Sequence, residues 1–387
     1  MSAVQPQSAR EEESVPAVSI VDIFLRAREL ERKGHDVIHF DAGEPDFGPP
    51  EQVVDATIRA LREGRGRYTE SAGIPQAKNA ISQKLERKYS LKISPGQILV
   101  TSGGRIALYF SYAILPKGSK IGIISPDWPA YRNLSQFMSY KTQFFRTRLE
   151  DGWSIDPDEV KKSDCNALVL NYPNNPTGKI LDPRTFDELV QIAREKNMVL
   201  ISDEVYSDYI LDGSNRFKSV LEVTDLRYVL VTSLSKSYSM TGFRAGYIVS
   251  DDKTTAQLSK LNSLIMTSVP EFVQYAIIAA MECDDYVKEK VNLIRKRRDV
   301  ATRALKKYLS AELYLPDGSL YVFPKLHSPR GAFNSEQFAI EALEKQFVSV
   351  TPGTSFGNSF SEYIRITLLQ SETRIEEGIM RMANALR

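Results

Sequence analysis

At 387 residues and 43.6 kDa, the chain is long enough for two or three domains, or for one large domain with a satellite. Hydrophobic residues at 42% and charged residues at 26% describe a globular protein and exclude general disorder. With 50 basic and 49 acidic residues the formal net charge is +1, so no broad field draws the chain to nucleic acid or to an anionic membrane. The two cysteines, Cys165 and Cys283, form no CxxC pair, so neither a disulfide framework nor a Cys-based zinc site is expected. His35 and His39 are four residues apart, but VIHFDAGEP reads as a strand entering a turn, and no metal site is expected there. The start, MSAVQPQSAREEES, is acidic and has no apolar core, and no stretch approaches the roughly 20 apolar residues of a membrane helix. The expected location is the cytoplasm.

In chain order, residues 1 to about 15 read as a polar arm, and SIVDIFLRARELERKG as a helix that stops at Gly34. DVIHFDAGEPDFGPP is a short strand and a turn-rich segment. VVDATIRALREG is a helix ending at Gly64, RGRYTESAG is a loop, and IPQAKNAISQKLERKYS is a helix with Pro75 in its first turn. The pattern then becomes regular. ILVTSGG, KIGIISPDWP, NALVLNYPNNPTG, NMVLISDEVY, RYVLVTSLSKS and GYIVS are short, continuously apolar runs, most of them separated by helical stretches. That is the pattern of a mostly parallel sheet buried on both faces by helices. After about residue 275 the character changes to a long basic amphipathic helix, VKEKVNLIRKRRDVATRALKKYL. Short strands LYVFP, FVSVTPG and YIRITLL follow, with a helix among them. The expected fold class is therefore α/β, with a smaller α+β domain.

Ligands of open α/β sheets bind at the carboxyl ends of the strands, and the polar residues of this chain collect there. ILVT ends in Ser102, Gly103 and Gly104 before a helix, which is an anion cradle or a plain strand–helix turn. NALVLNYP leads into Asn174 and Asn175, and MVLIS into Asp203, a carboxylate that is costly to bury without a partner. YVLVT leads into Ser233 and Lys236, with Arg244 eight residues further on. A lysine amine can form a Schiff base, an aspartate can face a protonated ring nitrogen, and serine, arginine and glycine backbone can hold a phosphate. Trp128, after another strand, can stack on a ring. Pyridoxal phosphate needs all of these.

At these residues the sequence resembles the class I/II aminotransferases, fold-type I pyridoxal phosphate enzymes similar to aspartate aminotransferase. The runs that carry the resemblance are DAGEPDF, RYTESAGIP, VTSGG, PDWPAY, NYPNNPTG, SDEVYSD, SLSKSYSMTGFRAGY, PGTSFG and YIRIT, in family order over residues 41–367. The resemblance implies a large domain over residues 46–275 with a mostly parallel, seven-stranded sheet flanked by helices. Residues 1–45 would form an arm and part of a small domain, completed by residues 276–387, so that both chain ends build it. It implies that Lys236 bonds to the cofactor as a Schiff base, that Asp203 pairs with the ring nitrogen, and that Asn175 and Tyr206 hydrogen-bond the ring's phenolic oxygen. Trp128 would stack on the ring. Gly103, Gly104, Arg105, Ser233 and Arg244 would surround the phosphate, Arg105 being a departure from many relatives. Tyr68 would reach the phosphate of a neighbouring subunit, which implies a homodimer with shared sites. Arg365 would bind the substrate α-carboxylate, helped by Asn175 and the backbone near Gly43.

The chemistry implied is transfer of an amino group from an L-amino acid to a 2-oxo acid, by default 2-oxoglutarate, in a ping-pong cycle through pyridoxamine phosphate. Two other readings keep the same motifs: a β- or γ-eliminating lyase on this scaffold, and a non-catalytic regulator that binds the cofactor. The substrate is not legible. Arg26, Arg105 and Arg132 are the positional candidates for gripping a second carboxylate, and Val15 lies in a segment that would fold over the site without offering charge.

Overall fold

The computed structural model describes residues 20–213, 216–329 and 331–386. The expected arm, Val15 included, lies outside them. The chain opens with helix α1 (Ile20–Arg32), the two-residue strand β1 (Ile38–His39), and helices α2 (Glu51–Arg62) and α3 (Pro75–Tyr89). Pro75 opens α3, where its missing N–H costs nothing. The sheet strands follow: β2 (Ile98–Thr101), β3 (Lys120–Ser125), β4 (Lys141–Arg146), β5 (Ala167–Asn171), β6 (Val199–Asp203), β7 (Tyr228–Ser233) and β8 (Gly246–Val249). Between them run α4 (Gly104–Ala113), α5 (Ala130–Phe137), α6 (Pro157–Lys162), α7 (Pro183–Glu195) and the one-turn α8 (Leu234–Ser237). Local chemistry starts these helices where they start. Asp182, for example, caps α7 by accepting from the N–H groups of Arg184 (2.9 Å) and Thr185 (3.2 Å).

These seven strands form one sheet in the order β2-β8-β7-β6-β5-β3-β4. It is parallel except at β8, which runs antiparallel to both β2 and β7. The sequence runs supplied six of the strands. The seventh, β4, is KTQFFR at the sheet edge, where only Phe145 is fully buried and no continuous apolar run exists. Side chains alternate across the sheet. Val100, Leu168, Leu170, Leu200 and Leu230 join the core on one face, and Leu99, Val169, Ile201, Val231 and Ile248 the core on the other.

Helices α9 (Asp252–Ile265), α10 (Glu271–Ala280) and α11 (Asp284–Tyr308) lead away from the sheet. Then come short strands β9 (Ala311–Glu312), β10 (Tyr321–Val322) and β11 (Lys325–Leu326), helix α12 (Ser335–Gln346), strands β12 (Val348–Ser349), β13 (Thr351–Pro352) and β14 (Ile364–Thr367), and helix α13 (Glu372–Leu386). β1 pairs in parallel with β12, and β14 lies between β10 and β13. The run FVSVTPG thus splits between two small sheets. A separate apolar core holds Ile23, Ile38 and Phe40 from the start of the chain with Leu305, Ile366 and Ile379 from its end. Tyr206 and Tyr209, just past β6, belong to this core as well, so it abuts the carboxyl end of the sheet.

Candidate active site

At that junction a cleft of about 1070 Å³ opens over the carboxyl ends of the parallel strands. Lys236, on the turn of helix that follows β7, is half-buried, and its amine donates to the carbonyl of Gly43 from the loop after β1. Burial lowers its pKa; the Tyr321 phenol opposes that shift and the Arg365 guanidinium adds to it. Asp203 ends β6 and faces the same cleft. It accepts from the Tyr131 hydroxyl at 2.6 Å and from the Val205 N–H at 3.3 Å. Burial pushes its carboxyl up to about 6, against those two donations. Its neighbour Glu204 is turned out of the cleft, satisfied by Ser219 (2.7 Å), Ser202 (2.9 Å) and the Val220 N–H (2.9 Å).

One end of the cleft is built on β14. Arg365 is 4% exposed and donates to Asn175 Oδ1 (3.1 Å), Thr351 Oγ1 (3.2 Å) and the Asp41 carbonyl, while its buried Nε has no partner among the described residues. Its guanidinium carbon lies 4.3 Å from the Tyr321 ring centre and 5.1 Å from that of Phe356. Asn175 is held in turn, its N–H donating to Asn171 Oδ1 at 3.0 Å.

The opposite end is built where β2 meets α4. Gly103 caps α4 at φ +81°, a conformation side-chain-bearing residues avoid, and a Cβ there would come within 2.7 Å of Arg244 Nη2. Arg244 therefore lies against the helix start, whose first N–H groups have no partner within the helix. Among the described residues no carboxylate pairs with Arg244; its Nη1 donates to the Thr241 carbonyl at 3.0 Å. Gly104, Ser233 and Ser235 line the same end. Arg105 lies 5.1 Å over the Trp128 ring, and Trp128 stands edge-on to Tyr131 with centroids 5.5 Å apart.

A family model described as aminotransferase class I and II matches residues 35–382. A probable aspartate/prephenate aminotransferase of Aquifex aeolicus is 34% identical over 94% of each chain. A (5-formylfuran-3-yl)methyl phosphate transaminase of Methanocaldococcus jannaschii is 33% identical over 95% of this chain and 96% of its own. The crystal structure of aspartate aminotransferase from Thermotoga maritima superimposes with a TM-score of 0.88 at 30% identity, covering 96% of this chain and 97% of that one. The chain belongs to the class I and II aminotransferases. It is a pyridoxal-phosphate-dependent transaminase.

The residues present fit that cofactor. Arg244, the start of α4 and Ser233 offer a cationic, donor-rich end for a phosphate, Asp203 offers an anion for a cationic ring nitrogen, and Lys236 offers an amine. Of the aminotransferase residues expected from sequence, Lys236, Asp203, Tyr206, Asn175, Gly43 and Arg365 meet in one cleft with Gly104, Arg105, Trp128, Ser233 and Arg244. Gly103 lies directly behind Arg244. Tyr68 stands apart from it, 88% exposed. The candidate second cations differ. Arg132 lines the cleft but is paired with the buried Asp127, Arg105 covers Trp128, and Arg26 is outside the cleft, paired with Glu344. Two residues escaped the sequence reading. Tyr131 had a signal, one helical turn beyond Trp128 in PDWPAY. Tyr321 reads in LYVFP as an ordinary core aromatic.

Proposed function

We propose that this transaminase moves the amino group of an L-amino acid to a 2-oxo acid, with 2-oxoglutarate as the default acceptor, and that Lys236, Asp203 and Arg365 carry the reaction. The carrying observation is that these three side chains, from three separate stretches of chain, line one cleft. When bound, pyridoxal phosphate supplies the electron sink that makes the α-proton of an amino acid removable. Arg365 grips the α-carboxylate and Asn175 Oδ1 holds Arg365 in register. Lys236 Nζ then takes the proton from the substrate Cα; a lowered pKa keeps part of the amine neutral for that task. Asp203, as its carboxylate, keeps a proton on the ring nitrogen. Gly104, Ser233 and Arg244 hold the phosphate, Gly103 leaves room for the Arg244 guanidinium, and Arg105 steadies Trp128.

We further propose a two-domain division, residues 46–275 holding the cofactor and the two chain ends forming the second domain. The separate core shared by the chain ends supports it. The enzyme we propose is a homodimer. Supporting this, Val54, Ile58 and Leu61 stand exposed at helical spacing on α2, as does Tyr68 in the following loop.

The test is a panel of amino acids added to holoenzyme without acceptor. A transaminase loses the cofactor's visible absorbance as it releases one equivalent of 2-oxo acid. Ammonia release with the colour retained marks a lyase instead, and an unresponsive spectrum marks a binding protein.

A further inference from the structure

Tyr321 has no part in the roles above, yet it touches three of the residues that have one. It sits on β10, antiparallel to the strand that carries Arg365, and is 2% exposed. Its hydroxyl lies 2.9 Å from the Tyr206 hydroxyl, with the two rings edge to face at 5.7 Å. Its ring is the surface on which Arg365 lies, 4.3 Å from the guanidinium carbon. A side chain on Gly43 would run into the same hydroxyl, and the Lys236 amine would be 3.4 Å from it. The charged and titratable groups around the two phenols are Lys236, Arg365, Asp203 and Tyr131, with Glu44 and Arg105 acting on Lys236.

We propose that Tyr321 is a positioning residue of the transamination. Its hydroxyl donates to Tyr206, and its ring bears the Arg365 guanidinium, so one side chain sets both the phenol beside the cofactor and the cation for the substrate. The proposal rests on the reading of Tyr206 as a donor to the cofactor's phenolic oxygen. A Tyr206 that gives its proton to a ligand can only accept from Tyr321, which fixes the direction of the bond. Donation into the Tyr206 oxygen polarises its O–H and strengthens the bond it makes onward. The ligand oxygen is then a weaker base than Tyr206 alone would leave it. A hydroxyl that merely satisfied a neighbour in the core would leave the ligand unaffected.

The test compares Tyr321→Phe, Tyr206→Phe and the double variant as holoenzymes, by pH titration of the bound cofactor's visible absorbance and by separate kcat and KM values. Phenylalanine keeps the ring under Arg365, so each protein retains its core. Tyr206→Phe raises the titration midpoint. Tyr321→Phe raises it by a smaller amount and lowers kcat several-fold with KM held. The double variant titrates no higher than Tyr206→Phe. Tyr321→Leu, which removes the ring face, raises KM as well. A Tyr321→Phe enzyme that titrates like the parent overturns the proposal, as does a shift that adds in full to that of Tyr206→Phe. An unmoved midpoint in Tyr206→Phe instead overturns the reading of Tyr206, and the role of Tyr321 falls with it.

Discussion

Asp203 and Glu204 are consecutive buried carboxylates with different duties. Burial raises the first to about 6 and the second to about 7. A carboxyl whose pKa is higher folded than unfolded binds its proton more tightly in the native state. The cofactor-free protein therefore loses stability as pH climbs from about 4, where an unfolded carboxyl titrates, through 6 and 7. A cationic ring beside Asp203 reverses that preference. Cofactor affinity should thus improve as pH rises through about 6, and Asp203→Asn should remove this component of the dependence. Tyr131→Phe deletes the 2.6 Å donation and should move the dependence to higher pH. Equilibrium titration with pyridoxal phosphate at several pH values reads both, and an unmoved midpoint in Tyr131→Phe would count against the assignment of Asp203. Lys236→Ala should cost at least roughly 10²–10⁴-fold in kcat, the worth of a positioned proton acceptor, while the protein still binds cofactor. Borohydride reduction followed by peptide mapping should find the reduced cofactor on Lys236 and on no other lysine. Arg365→Ala should raise KM for every amino acid with the cofactor colour intact, since alanine replaces neither N–H···O bond; unchanged kinetics would relegate Arg365 to structure.

Helix α13 docks on the start of the chain through a glycine. A Cβ on Gly378 would sit 2.5 Å from the Phe40 ring and 3.1 Å from Ile38 Cγ2. Alanine improves helix propensity by about 1 kcal/mol, but overpacking costs about 1–3 kcal/mol. Gly378→Ala should therefore give no gain in stability and a loss of up to about 2 kcal/mol, read from the denaturant midpoint; a more stable variant would show that Phe40 yields freely. The elements differ in how far the sequence discloses them. Strands β3, β5, β6 and β7 announce themselves because a strand buried on both faces must be apolar throughout. Among the described residues β4 pairs only with β3, and it carries Lys141, Gln143 and Arg146, so the signal is lost at the edge. GYIV is as apolar as its neighbours, but an apolar run carries no direction, and that β8 runs antiparallel emerges only from its pairing.

At the scale of the whole molecule, the site joins residues that the chain holds far apart. Arg365 lies inside β14 and was named by resemblance, whereas Asp203, Asn175, Ser233 and Lys236 were legible because each sits in a short run beside the strand end that presents it. Tyr131 and Tyr321 were not, because their partners Asp203 and Tyr206 lie 72 and 115 residues away, and contact at that range is a product of the fold. Sedimentation of the holoenzyme should give a dimer, and charge on the exposed face of α2, as in Ile58→Glu, should split it; a fully active, stable monomer would remove Tyr68 from the site. The clamp on Arg365 bears on how a substrate is met. A free arginine side chain carries about 2 kcal/mol of rotamer entropy, which an incoming carboxylate would have to overcome. Here two aromatic rings and three hydrogen bonds have immobilised the guanidinium during folding, before any ligand arrives. An amino acid reaching the cleft meets a receptor already frozen in its bound shape, and the ordering penalty has passed from every catalytic cycle to the single event of folding.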